Sequence, residues 1–176
     1  ETCARLISSG SLIGWFQGRM EVGARALGAR SILASPLNPN ARDLVNVNVK
    51  NRESWRPFCP SLKAESFDKY FLSPQTHSTY DYMIVATNVS DEAASVIPSC
   101  VHIDQTARPQ VVTPECNPIY YDLLDHLEKL TGHGIVLNTS FNVKGEPVVE
   151  SPEQAVRTFY ASGLDYLAIG SFLISK

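Results

Sequence analysis

Seven basic side chains fall within one glycine-bearing stretch, and the chemistry they suggest is the binding of a multiply charged anion. From residue 14 to residue 57 the chain reads GWFQGRMEVGARALGARSILASPLNPNARDLVNVNVKNRESWRP, with Arg19, Arg25, Arg30, Arg42, Lys50, Arg52 and Arg56 set among four glycines. Over residues 19–56 these seven face only Glu21, Asp43 and Glu53, whereas over residues 57–176 seven basic residues face fourteen acidic ones. The cations are therefore concentrated. Guanidinium groups stay charged at any ordinary pH and present forked donors that match phosphate oxygens, and glycines let backbone N–H groups approach an anion. Two triplets add to this: Lys50-Asn51-Arg52 sets two cations one residue apart, and Ser140-Phe141-Asn142 offers a hydroxyl and an amide after an apolar run. Cations of this kind grip phosphate oxygens, while a hydroxyl and an amide can bond a small planar group such as a carbamoyl. Each triplet has a plain structural alternative, since Lys50 would complement the dipole at a helix C-terminus and polar strand ends are ordinary.

The intervals Gly18–Gly23 and Gly23–Gly28 match the glycine spacing of a P-loop, but each continues with Ala-Arg where Lys and then Ser or Thr are required. G-x-G-x-x-G is absent as well, so neither a P-loop NTPase nor a Rossmann dinucleotide site is expected. Cys3, Cys59, Cys100 and Cys116 are spaced unevenly with no C-x-x-C pair, and His77, His102, His126 and His133 are equally scattered. Buried free thiols and no metal site follow. A net charge of −3 argues against a nucleic-acid or membrane partner, which would attract a broad basic face. There is neither an eighteen-residue apolar run nor a signal-peptide pattern, and a cytoplasmic protein is expected.

These groups need elements to carry them. Residues 12–16 and 31–34 read as short buried strands on either side of the arginine loop, and Asn40 as the cap of a helix over 41–51 on which Leu44, Val45 and Val49 share a face. Residues 65–71 look helical, 82–87 strand-like, and 100–112 a strand with polar residues interleaved. Asn117 and Pro118 open a helix that stops at Gly132, and Ser151, Pro152 and Gln154 form a capping box for another running to Gly163. Residues 135–137, 166–169 and 172–174 read as strands, and 73–79 and 91–99 as exposed loops. Residues 1–10 read as the end of an amphipathic helix, as if the chain were part of something longer. Trp15, Phe16 and Trp55 are expected in the core, and Glu21 and Asp104 in salt bridges rather than on Mg²⁺. With 176 residues, the chain predicts one α/β (α+β) domain built on a twisted mixed sheet flanked by helices.

Four segments, GWFQGRMEVGARALGARSILASP, VNVKNRESWRPFCPS, HIDQTARPQVV and LNTSFNVKGEPVVESPEQAVRTFYASGLDYLAIG, resemble the C-terminal domain of the O-carbamoyltransferases, the group containing nodulation and antibiotic-tailoring carbamoyltransferases. That domain is similar to the YrdC-type fold of threonylcarbamoyl-adenylate synthases, whose K-x-R and S-x-N signatures correspond to Lys50, Arg52, Ser140 and Asn142. Two positions depart from the family pattern: Ala24 stands where proline is usual and Ala29 where asparagine is usual.

The resemblance implies a domain that binds ATP and carbamoyl phosphate, with Mg²⁺ on the nucleotide phosphates, and forms carbamoyl-adenylate. A separate N-terminal transferase domain of the same polypeptide, carrying the family's transition metal and absent from these residues, would then pass the carbamoyl group to a hydroxyl. Lys50, Arg52, Ser140 and Asn142 are the expected catalytic residues. Arg25, Arg30 and Arg56 are expected on phosphate, followed by Arg19, Arg108, Asn138 and Lys144. The competing reading is a non-catalytic module that senses a nucleotide and docks on its partner domain. RNA-linked threonylcarbamoyl chemistry is disfavoured by the overall acidity. A homodimer is compatible with the sequence.

Overall fold

Residues 1–74 and 78–176 are described by the computed structural model of the chain. In chain order its elements are α1 (Thr2–Ser8), β1 (Ile13–Phe16), β2 (Arg30–Ala34), α2 (Ala41–Val45) continuing into a π-helical turn (Asn46–Lys50), β3 (Cys59–Lys63), α3 (Phe67–Tyr70), β4 (Thr87–Asn88), α4 (Asp91–Val96), β5 (Thr106–Ala107), β6 (Gln110–Val112), α5 (Pro118–Thr131), β7 (Ile135–Ser140), α6 (Pro152–Ala161), β8 (Tyr166–Ile169) and β9 (Phe172–Ser175). Seven strands form one mixed sheet in the order β6-β3-β7-β2-β1-β8-β9, with β3·β6 and β1·β8 parallel and the other neighbours antiparallel. The expected α/β domain with a mixed sheet flanked by helices is what the chain forms.

Alternation along the strands divides the core in two. Phe16, Ile32, Leu137 and Leu167 face one side, where Val45, Val49, Ala155 and Phe159 of α2, the π-turn and α6 cover them. Ile13, Trp15, Leu33 and Val136 face the other side, against Ile7 of α1 and Tyr120, Leu124 and Leu127 of α5. A third cluster, including Phe67, Tyr70, Phe71, Ile97 and Val111, packs α3 and α4 near the β3–β6 edge. The capping signals hold: the Asn117 side chain accepts from the Tyr120 N–H, Gly132 ends α5 with a left-handed φ of 79°, and Ser151 and Gln154 form a reciprocal capping box.

Several expectations are corrected. Residues 82–87 are not a strand; Met83 takes a φ of 55°, and pairing begins only at Thr87. The run 100–112 is broken into β5 and β6: Gln105 adopts a φ of 62°, and Pro109 between the two has no N–H to pair. Residues 91–99 hold a helix rather than a loop, because the Ser90 hydroxyl caps the Ala93 N–H and Asp91 and Glu92 occupy the first turn. Asn40 makes no side-chain cap, and the helix it precedes widens into the π-turn at Asn46. A strand over residues 59–63, opened by Cys-Pro, was not expected. Trp55 is 71% exposed instead of packed in the core. All four cysteines are free, but only Cys59 and Cys100 are buried. The loop expected over residues 73–79, and His77 with it, lies partly outside the described residues.

Candidate functional site

The central strand β7 is apolar from Ile135 to Leu137 and turns polar where it leaves the core, which places Asn138 and Ser140 at the sheet's end. Lys50 arrives there from the covering layer. Its Nζ donates to the Ser140 main-chain oxygen, to Ser140 Oγ at 3.2 Å, to the Asn142 main-chain oxygen at 3.1 Å and to Asn142 Oδ1 at 2.7 Å. Ser140 Oγ donates to Asn142 Oδ1 at 2.7 Å, and Asn142 Nδ2 donates to the Glu146 carbonyl at 2.8 Å, so the orientation of the amide is fixed. The K-x-R lysine and the S-x-N pair thus meet directly.

Asn51 separates Lys50 from Arg52 with φ 45° and ψ 50°. A left-handed residue at this point lets two cations one residue apart serve different surroundings, and asparagine tolerates that conformation better than most residues. The Arg52 Nε donates to Asn46 Oδ1 at 2.7 Å, and its guanidinium lies 4.8 Å from the centre of the Phe58 ring.

Two cavities adjoin here, sharing Arg52 and Ser140 in their walls. One, of about 160 Å³, brings Arg25, Arg52 and Arg108 together with Asn138, Thr139 and Ser140, and no carboxylate lines it. The other, of about 240 Å³, gathers Lys50, Arg52, Arg56, Asn142 and Lys144 around Glu53, which pairs with Arg56 at 3.0 Å. Burial, and then the neighbouring Arg52 charge, brings the Lys50 ammonium down to about 7. Burial likewise lowers Arg52, with Arg56 adding to the effect. The four oxygens around Lys50 carry no formal charge, so desolvation of the ammonium wins.

The arginine loop is held by contacts the sequence did not announce. Glu21 forms no ion pair among the described residues; its Oε1 accepts the N–H groups of Leu27 and Ala29, both at 2.7 Å, and of Arg30 at 3.2 Å. Gly28, at φ +99°, lies against Tyr120 so closely that a Cβ would stand 2.3 Å from the ring. Gln110 Nε2 donates to the Leu27 carbonyl and Asn138 Nδ2 to the Ala26 carbonyl, fastening the loop to the sheet beside Arg25. Asp104 holds the turn before β5 by accepting from Thr106 N and Oγ1.

Two expected phosphate ligands lie elsewhere. Arg30 is 4% exposed, stacks on Phe16 at 3.5 Å and donates to the carbonyls of Gln17, Gly18 and Ala29. Arg19 lines a separate cavity with Glu21 and Asp81. Missed by sequence reasoning were Asn46, Phe58 and Met83. Asn46 lies four residues before Lys50, and its place one helical turn from the expected cation is the signal that could have drawn notice to it. For Met83 no signal existed. Among the described residues no group of three or more His, Cys, Asp or Glu side chains could hold a metal ion, and no helix is long and apolar enough to cross a membrane.

The seven-stranded mixed sheet with its covering helices has the YrdC-like fold, which solved structures share. Full-length HypF in its phosphate- and nucleotide-bound form superposes with a TM-score of 0.69 at 15% identity over 97% of this chain and 24% of that one. P. abyssi Sua5 complexed with L-threonine gives 0.64 at 14% identity, over 96% of this chain and 46% of that one. The family described as Carbamoyltransferase C-terminus matches residues 4–176, and the chain belongs to it. The nodulation protein NolO of Bradyrhizobium diazoefficiens is 41% identical over 99% of this chain and 32% of its own length. The 3'-hydroxymethylcephem-O-carbamoyltransferase of Streptomyces clavuligerus is 34% identical over 86% of this chain and 28% of its own. The chain thus spans about a third or less of these two relatives.

Proposed function

We propose that this domain binds ATP and carbamoyl phosphate and forms carbamoyl-adenylate, which an N-terminal transferase domain of the same polypeptide passes to a hydroxyl acceptor. The observation that carries the reading is the convergence of Arg25, Arg52 and Arg108 on a cavity without a carboxylate, joined through Arg52 and Ser140 to a second cavity bearing Lys50, Arg56 and Lys144. Acyl phosphate and nucleotide together bring several negative charges, and cations in the walls of two adjoining cavities match that chemistry.

In this scheme a water oxygen bonds to the carbamoyl carbon as the C–O bond to phosphate breaks, giving carbamate and inorganic phosphate, with one proton of the water carried off on phosphate and the other released to solvent. A carbamate oxygen then attacks the α-phosphorus of ATP, forming the new P–O bond as the bond to pyrophosphate breaks. No nucleophilic side chain is required. The arginines hold and neutralise the phosphoryl oxygens, and Lys50 fixes the Ser140–Asn142 turn. Mg²⁺ fits as a passenger on the nucleotide phosphates, where it would offset charge, because the described residues offer no acidic cluster of their own. Free thiols agree with a cytoplasmic setting.

The test is pyrophosphate release, or ATP–pyrophosphate exchange, on mixing the domain with ATP, Mg²⁺ and carbamoyl phosphate. Release that depends on carbamoyl phosphate supports the reading. ATP binding without any release would replace it with a nucleotide-sensing module.

A further inference from the structure

We propose that Asn46 is the positioning residue for Arg52, holding its guanidinium at the wall common to both cavities; the role in catalysis rests on the reading above. Asn46 is fully buried, at 0% exposure, although its side chain is polar at both ends. Each end is used. Its Oδ1 accepts from Arg52 Nε at 2.7 Å, while its Nδ2 donates to the Ser54 carbonyl at 3.1 Å and the Arg56 carbonyl at 3.0 Å. Its main-chain oxygen receives the N–H of Asn51, closing the π-turn, and that of Arg52 at 3.2 Å.

One amide therefore sets the path of the chain from Asn51 to Arg56 and the direction of the arginine within it. Held at Nε and stacked on Phe58, Arg52 has both terminal amino groups free of protein hydrogen bonds among the described residues, and it lines both cavities. A clamp at Nε is what a bidentate anion grip needs, because the two outward N–H pairs keep a fixed direction. Aspartate could replace only half of this function. It would keep an acceptor for Nε but lose both donations and set a negative charge beside the cation. The widening of the helix at Asn46 also has a reason here, since π-turns recur where a side chain must be presented to a ligand.

The experiment compares wild type, Asn46→Ala, Arg52→Ala and the double variant, with inorganic pyrophosphate as the probe in calorimetric titrations. Melting curves and the exchange rate of the ¹⁵N-labelled Arg52 Nε–H are recorded beside them. Asn46→Ala should weaken pyrophosphate binding about tenfold, the scale of one hydrogen bond to a charged group. It should also speed Nε–H exchange, and the double variant should bind no more weakly than Arg52→Ala alone. Unchanged affinity in the folded fraction, or losses that simply add, would overturn the proposal. If Asn46→Ala does not fold, the near-isosteric Asn46→Leu, which removes the acceptor without adding a charge, decides: faster Nε–H exchange with weakened affinity supports the role, and wild-type affinity refutes it. A wild type that binds pyrophosphate yet releases none from ATP and carbamoyl phosphate would end the adenylation reading, while the Asn46–Arg52 coupling would still be measured.

Discussion

Lys50 Nζ stands 2.7 Å from Asn142 Oδ1 across a sequence separation of 92 residues, and neither side chain is paired with a carboxylate at that point. The ammonium is stabilised by oxygens alone, all four of them from Ser140 and Asn142 at the end of β7 and the turn beyond it. The contact joins the two halves of the site and leaves the lysine poised between protonation states.

That poise gives a dependence on pH with a definite sign. The unfolded chain keeps the Lys50 proton up to about 10.5, whereas in the fold burial and Arg52 bring it down to about 7. Between these values the unfolded state binds more protons, so stability rises with pH across the window and levels off below it. In urea melts from pH 6.5 to 9.5, wild type should gain about 1–3 kcal/mol relative to Lys50→Met. A difference that stays flat over this range would show that Lys50 remains charged throughout.

Arg25 and Arg108 should behave as ligand contacts rather than as parts of the framework. Alanine at either position is expected to weaken ATP or carbamoyl phosphate binding by about tenfold while changing stability by less than about 0.5 kcal/mol. Titration calorimetry beside thermal melts separates these effects. A large drop in melting temperature with affinity intact would assign either arginine to the scaffold.

The left-handed Asn51 between the two cations sets a conformational demand. Asn51→Gly should fold with stability within about 0.5 kcal/mol of wild type, whereas Asn51→Val should cost about 1–3 kcal/mol and misdirect Arg52. Chemical denaturation of the pair reads the first effect and pyrophosphate affinity the second. Equal stability of the two variants would count against the assigned backbone.

Gly28 has no room for a methyl group. With φ at +99° and the Tyr120 ring 2.3 Å from a built Cβ, Gly28→Ala should destabilise the domain by about 2–4 kcal/mol through strain and overpacking. Circular dichroism melts check it. A variant as stable as wild type would mean that Tyr120 moves aside freely.

What the sequence disclosed follows the physics of each signal. Capping residues at Asn117 and Ser151 act within one helical turn, so both long helices could be placed, and the short apolar run of residues 12–16 between glycines, with residues 31–34, found the first two strands. Lys50, Arg52, Ser140 and Asn142 stood out as two triplets of cations and polar groups to which a family resemblance gave meaning, and their meeting depends on strand order, which no local pattern encodes. The cations of the loop looked alike in sequence. Only packing distinguishes Arg30, turned inward onto Phe16 and three carbonyls, from Arg25, which lines the cavity. Trp55 was misplaced because an aromatic side chain implies burial on average, and nothing nearby in sequence marks the turn that carries it outward.

A cavity walled by three arginines and no acid sets like charges facing one another. Any anion that settles there relieves the repulsion and favours the folded form in proportion to its concentration and affinity. Resistance of this domain to proteolysis is accordingly expected to rise with the concentration of such an anion.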